Sequence, residues 1–283
     1  MKLAVAAWAL CFASSVAAQE PVEVPFRLID GWAIVLEGTL GGIPHQRMLL
    51  DTGAVPSAIN IKLAKQLGLF GFTQRISAVN RPANVERVRV PGIRVGVVNV
   101  NALDMNAIDL ERIEQRLGTR LDAIIGLDVL GRRNFKLDYR RKKLVFDQSA
   151  AGADIISFEM KHEAGGTYLL IPLESGGEKL QMLLDTGAKN LTLFAPRLRG
   201  VLRQLRVRGR DFNLTAAGQD PLVEVEMESL TVGPVIRRKQ RAYVLNASED
   251  ELREFDGLLG PVALGASTVA FDFDRHAISF QTR

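Results

Sequence analysis

Two aspartates 134 positions apart, Asp51 and Asp185, sit inside the same seven-residue string: Met48-Leu49-Leu50-Asp51-Thr52-Gly53-Ala54 and Met182-Leu183-Leu184-Asp185-Thr186-Gly187-Ala188. A lone Asp-Thr-Gly triplet means little, because its residues are common ones. Seven identical residues mean more. Two carboxylates brought together cannot both ionise cheaply, so they share a proton and leave one base and one acid in a single site. That pairing is what activation of water against a peptide carbonyl needs. The flanking residues suit the task. Gly53 and Gly187 lack a Cβ, so backbone amides can close in on the carboxylate. Thr52 and Thr186 each offer a hydroxyl that can donate to a backbone carbonyl or to the opposite loop.

The apolar run before each aspartate reads as a buried strand that delivers it to the strand's end. The same offset of 134 maps Asp122-Ala123-Ile124-Ile125-Gly126 onto Asp256-Gly257-Leu258-Leu259-Gly260, and Leu137-Asp138-Tyr139 onto Phe271-Asp272-Phe273. Three registers agreeing on one offset predict a duplicated unit. If its halves face each other across a pseudo-twofold axis, the two aspartates meet at the centre.

Asp51-Thr52-Gly53-Ala54 with Ser57 beyond it, Leu67-Gly68-Leu69 closing a short helix, Asp122–Gly126, and Asp138-Tyr139 resemble the aspartic proteases of the retropepsin type. The likeness is greatest to the secreted or membrane-linked retropepsin-like proteases of bacteria, and it runs once per half over residues 25–283. The resemblance implies an all-β, bilobed acid-protease fold: two pseudo-twofold-related, β-barrel-like lobes with a few short helices. It implies an aspartic endopeptidase with Asp51 and Asp185 as the catalytic pair and Thr52, Gly53, Ala54, Thr186, Gly187 and Ala188 supporting the loops. No cofactor or metal is implied. A peptide or protein substrate would lie extended beneath two flaps, with Val55, Ile125, Leu127 and Leu259 lining apolar pockets. Retroviral enzymes need two chains to supply two aspartates; this chain carries both, as pepsin-like enzymes do, so a monomer is expected. Ala54 and Ala188 stand where pepsin-like enzymes carry Ser or Thr. The missing hydroxyl removes stabilisation of the anion and predicts a less acidic optimum. The competing readings are a catalytically silent peptide-binding envelope protein using the same groove, and a structural protein in which the Asp-Thr-Gly blocks are only turns.

The chain has 283 residues, 47% hydrophobic and 24% charged, enough for a sizeable core. A net charge of +4 is too small to imply nucleic acid as a partner; it favours weak attraction to an anionic envelope surface. His45, His162 and His276 are scattered and suggest no zinc site. Residues 1–18 read as a secretory signal: Lys2, an apolar run from Leu3 to Ala13, then Val16-Ala17-Ala18. An exported protein, periplasmic or secreted, is expected, with an uncleaved anchor as the alternative. Cys11 is the only cysteine, so cleavage would leave neither disulfide nor thiol chemistry.

Two lobes, residues 19–150 and 151–283, are expected to meet at a linker in Gln148–Asp154. Strand-like residues from Pro25 to Leu40 lead to a turn at Gly41-Gly42. Ile59, Leu63 and Leu67 predict a helix stopped by Gly68. The first flap is expected in residues 73–103 with its tip near Ser77–Ala83, and the second in residues 206–227 with its tip at Ala216–Gln219. Asp109 should cap a helix ended by Gly118. Asp122 is read as bonding its own backbone and not as a third catalytic carboxylate. Pro196 opens an expected arginine-rich amphipathic helix, and Ser248 with Glu251 an expected capping box. Thr192 lies seven residues past Asp185, whereas Ser57 lies six past Asp51. The outer hydrogen bonds of the second loop should therefore differ.

Overall fold

A computed structural model describes residues 21–78, 81–152, 154–163, 166–198, 205–215, 218–246 and 255–282. The expected signal with Cys11, residues 79–80 and 216–217 of the two flap tips, residues 199–204 of the arginine-rich segment and the Ser248–Glu251 capping box lie outside the described residues.

The first half runs β1 (Glu23–Ile29), β2 (Ala33–Leu40), β3 (Ile43–Leu50), β4 (Ala58–Asn60), α1 (Ile61–Gln66), β5 (Phe72–Ala78), β6 (Arg81–Val90), β7 (Ile93–Val95), β8 (Val98–Val100) and β9 (Leu103–Ile108). It continues through α2 (Glu111–Leu117), β10 (Ala123–Ile125), α3 (Leu127–Leu130), β11 (Phe135–Asp138) and β12 (Lys143–Phe146). The second half holds β13 (Ile155–Ser157), β14 (Glu159–Glu163), β15 (Gly166–Ser175), β16 (Glu178–Leu184), β17 (Leu191–Phe194) and β18 (Arg206–Thr215). After them come β19 (Gly218–Val232), β20 (Val235–Leu245), β21 (Gly257–Leu259), β22 (Ala266–Asp272) and β23 (Ala277–Thr282). The fold is thus all-β and two-lobed, as expected.

Local chemistry explains most of these boundaries. Gly41 and Gly42 (φ 58° and 81°) turn β2 into β3, and Gly176 and Gly177 (φ 58° and 84°) turn β15 into β16. Both pairs of positive φ fit the tight hairpin turn that glycine permits. Asn60 caps α1, its side chain accepting from the Lys62 N–H, which forces Ile59 out of the helix and into β4. The helical spacing of Ile59, Leu63 and Leu67 therefore overstated the helix at its start: Ile59 is a buried strand residue two positions before α1 begins, and Leu67 is the C-cap. The Asp109 carboxylate accepts from the Glu111 N–H at 2.9 Å, and Gly118, left-handed at φ 60°, closes α2.

The halves are joined by sheet as well as by chain. β11 pairs with β22, Phe135 opposite Phe271 and Leu137 opposite Val269. Because Val269 and Phe271 are the repeat counterparts of Phe135 and Leu137, the pairing is self-complementary and the pseudo-twofold axis passes through it. The Phe135 and Phe271 rings stack there at 4.5 Å. β12 and β1 extend this sheet on one side, β23 and β13 on the other.

Candidate active site

The strand that carries Asp51 alternates between two apolar environments. Met48 and Leu50 enter the main core, while Leu49 joins a separate cluster with Ala33, Val35, Ala58, Leu110, Leu117, Leu121 and Ile124. In the second half Met182 and Leu184 enter the main core, and Leu183 joins Tyr168, Leu170, Phe194, Tyr243, Phe255 and Leu258. Successive strand residues point to opposite faces, so each aspartate leaves its sheet on the Leu49 or Leu183 side, away from the main core. Ala54 accordingly packs against the first of these clusters.

This alternation corrects the expected pocket lining. Ile125, Leu127 and Leu259 belong to the main core, with 1%, 5% and 0% of their surface exposed. They support the loops from behind. In β10 and β21 the residues on the aspartate side are Ile124 and Leu258, one position earlier, because a shift of one residue exchanges the faces of a strand. Of the four expected residues only Val55 is partly exposed, packed against the Tyr168 cluster of the other half.

The two loops interlock. Thr52 Oγ1 donates to the Leu184 carbonyl at 2.7 Å and Thr186 Oγ1 to the Leu50 carbonyl at 3.1 Å. Each hydroxyl also accepts from the opposite threonine's N–H, at 3.0 and 3.1 Å. All four partners are buried, so each bond satisfies a group that would otherwise stand unpaired. The glycines follow the same symmetry. Gly53 N–H donates to Asp51 Oδ1 at 2.8 Å and Gly187 N–H to Asp185 Oδ1 at 2.7 Å. A Cβ on Gly53 would stand 2.7 Å from the Asp185 Cγ, and one on Gly187 would stand 2.4 Å from the Asp51 Cγ. Each carboxylate therefore occupies the space that the other loop's glycine leaves open.

Behind the loops, Gly126 and Gly260 let the chain cross closely: a Cβ on either would meet the Ala54 or Ala188 carbonyl oxygen at 2.1 or 2.2 Å. Asp122 and Asp256 repeat one another as well. Asp122 accepts from the Arg47 N–H and Asp256 from the Gln181 N–H, both at 2.8 Å. Asp122 thus ties two strands together and binds Arg120, in place of the expected bond to its own turn. The outer bonds differ, though not through an extra residue: Ile124 pairs with Ala58 and Leu258 with Thr192, so Leu191, which has no hydroxyl, stands in the place of Ser57. Gly126 N–H donates to Ser57 Oγ, and Ser57 donates through its hydroxyl and its N–H to the Asp128 carboxylate. Gly260 N–H instead reaches the Asn190 carbonyl at 3.1 Å, and Val262 stands at the position equivalent to Asp128. Asp128 escaped the sequence reading because the repeat offers no second copy of it.

Burial raises the pKa of both aspartates above the ordinary carboxylate value, although each keeps some contact with solvent. For Asp185 the neighbouring Asp51 charge and their mutual hydrogen bond add to the rise; for Asp51 that bond and the Gly53 and Ala54 amides oppose it. A hydrogen bond between two carboxyl groups needs a proton on one of them, since two carboxylates are acceptors only. Among the described residues no three His, Cys, Asp or Glu side chains converge as a metal site would require. Residues 36–129 and residues 171–262 each match the family model described as aspartyl protease, together well over half of the chain. No curated protein matches the sequence.

Proposed function

The chain belongs to the aspartyl protease family, and from that premise we propose that it is an endopeptidase working through Asp51 and Asp185. The observation that carries this reading is the reciprocal packing of each carboxylate over the opposite loop's glycine, which brings two raised-pKa acids to one point. With one proton on the pair, the ionised carboxylate takes a proton from a water held between them and the protonated one hydrogen-bonds the scissile carbonyl. The water oxygen adds to the carbonyl carbon, giving a tetrahedral diol. As the C–N bond breaks, a proton passes to the leaving amine and the pair returns to its single-proton state.

The β5–β6 and β18–β19 hairpins are the flaps in this reading. Each ends its sheet on an edge strand, β5 and β18, so an extended peptide could add its backbone to strand edges and send alternate side chains to either wall. Both aspartates come from one chain, so a monomer suffices. Export to the periplasm or medium through residues 1–18 belongs to the same proposal.

The test is cleavage of a peptide library by the wild-type protein and by Asp51→Asn. Turnover that falls about a thousandfold in the variant supports the enzyme. Retention of peptide without turnover by the wild type would make the groove a binding site only.

A further inference from the structure

The two seven-residue blocks are identical and then diverge at once: Val55 follows Ala54, and Lys189 follows Ala188. Val55 crosses to the second half, where it covers Gly166; a Cβ on that glycine would lie 2.8 Å from Val55 Cγ1. Strand register identifies the first-half counterpart of Gly166. Val35 pairs with Leu49 and Leu170 with Leu183. Since Leu49 and Leu183 are repeat equivalents, Leu170 answers to Val35 and Gly166 to Gly31. Both glycines have positive φ, 75° and 146°. Yet among the described residues nothing lies within 4 Å of the Cβ position of Gly31. One corner of the pseudo-symmetric site is filled by a valine, and the equivalent corner is open.

The residue that the repeat directs to the open corner is Lys189, which is exposed and makes no hydrogen bond or ion pair among the described residues. Two residues flank Gly31 in the chain. The Asp30 carboxylate accepts from Arg116 at 2.8 Å, so its charge is already matched. Trp32 packs against the cluster that holds Ala54, and its indole N–H is buried without an acceptor among the described residues. The buried indole N–H is closed to a ligand in the corner; the Lys189 ammonium is a donor only, and a carboxylate is the side chain that suits it.

We propose that Lys189 and the open corner beside Gly31 form a subsite for an acidic substrate side chain on the first half's side of the scissile bond. Val55 closes the matching corner of the second half, so the two sides of the cut are read differently despite the repeat. Lys189 is then a specificity-determining residue, and the proposal rests on the reading of the groove as a substrate groove.

The test uses peptide pairs that differ only in Glu against Gln at successive positions on either side of the cleaved bond. The full-length protein should favour Glu by about fivefold in kcat/KM at a position on one side only, and about 0.5 M salt should erode the preference. Lys189→Met should abolish the preference and Lys189→Glu should invert it. Equal rates for every pair, or a preference that Lys189→Glu leaves intact, would overturn the subsite while leaving the endopeptidase standing. Binding of the same peptides to Asp51→Asn, followed by fluorescence anisotropy, separates the two ideas. If the wild type cleaves nothing but Glu peptides bind more tightly through Lys189, the subsite stands and the endopeptidase falls. Binding without charge preference, or no binding at all, overturns the subsite.

Discussion

The Asp51 carboxylate rests on the backbone of Gly187, so closely that a Cβ there would fall 2.4 Å from its Cγ and 2.5 Å from its Oδ2. Neither partner can move freely: Asp51 is fixed by the Gly53 N–H, and Gly187 bonds the Asp185 carboxylate. Gly187→Ala therefore expels the Asp51 carboxylate from the centre. We expect a loss of about 1–3 kcal/mol in stability, as for other overpacked sites, and activity reduced below about one part in a hundred. Gly53→Ala should act in the same way through Asp185. Thermal unfolding and a peptide cleavage assay on both variants check this; an active Gly187→Ala enzyme would show that the glycine is not what admits the carboxylate.

Thr52 and Thr186 hold the halves together where the chemistry is proposed to occur. Thr52→Val keeps the shape but removes a hydroxyl that donates to the Leu184 carbonyl and accepts from the Thr186 N–H. Both partners would be buried and unpaired, costing about 1–3 kcal/mol. Thr52→Ser should retain most of the stability. In a double-mutant cycle Thr52→Val and Thr186→Val should be non-additive, because each removes bonds to the other's loop. Additive losses in urea unfolding would mean that the two threonines act separately.

The sequence made the repeat legible because both copies of the aspartate block, of Asp122–Gly126 and of Leu137–Tyr139 survive at one offset, and each performs the same job twice. Turns were legible at Gly41-Gly42 and Gly176-Gly177, where two successive positive φ angles favour glycine. Facing was not: Ile124 and Ile125 are chemically alike, so nothing in the string says which of them turns toward Asp51, and Ile125 and Leu259 were each expected in the lining one place late. The sheet shared by the halves was also hidden, since its β11–β22 contact joins residues far apart in the chain. Asp128 and Lys189 were missed for a common reason, because both lie where the two copies differ.

The pH response follows from the raised pKa of both carboxylates. Activity needs one proton on the pair and fails when both acids are protonated, so raised values move the active window upward from the ordinary aspartate value of about 3.9. A rate profile centred on weakly acidic to neutral pH is expected, and a maximum near pH 2 would contradict it. Stability runs the other way. A carboxyl whose folded pKa is raised contributes its full share below the unfolded value, about 3.9, and loses it as pH climbs toward the folded value. Asp185→Asn removes that loss. Its melting temperature should exceed that of the wild type at pH 7 and the difference should vanish near pH 3; each 1 kcal/mol would appear as roughly 2–3 °C.

Asp128 braces one loop only. Its carboxylate accepts from both the hydroxyl and the N–H of Ser57, and Ser57 Oγ in turn accepts from the Gly126 N–H that lies behind Ala54. Ser57 is fully buried, so Asp128→Ala strands two donors in the interior. A loss of about 2–3 kcal/mol is expected, since bonds to a charged acceptor are the stronger kind, together with a lower kcat as the Asp51 loop loosens. Asp128→Asn retains one oxygen acceptor and should recover part of both. At the equivalent position of the second half, Val262→Ala should cost only packing, about 1 kcal/mol, because the Gly260 N–H there already reaches a backbone carbonyl. Equal effects on kcat at the two positions, measured on one peptide, would mean that the brace does not position Asp51.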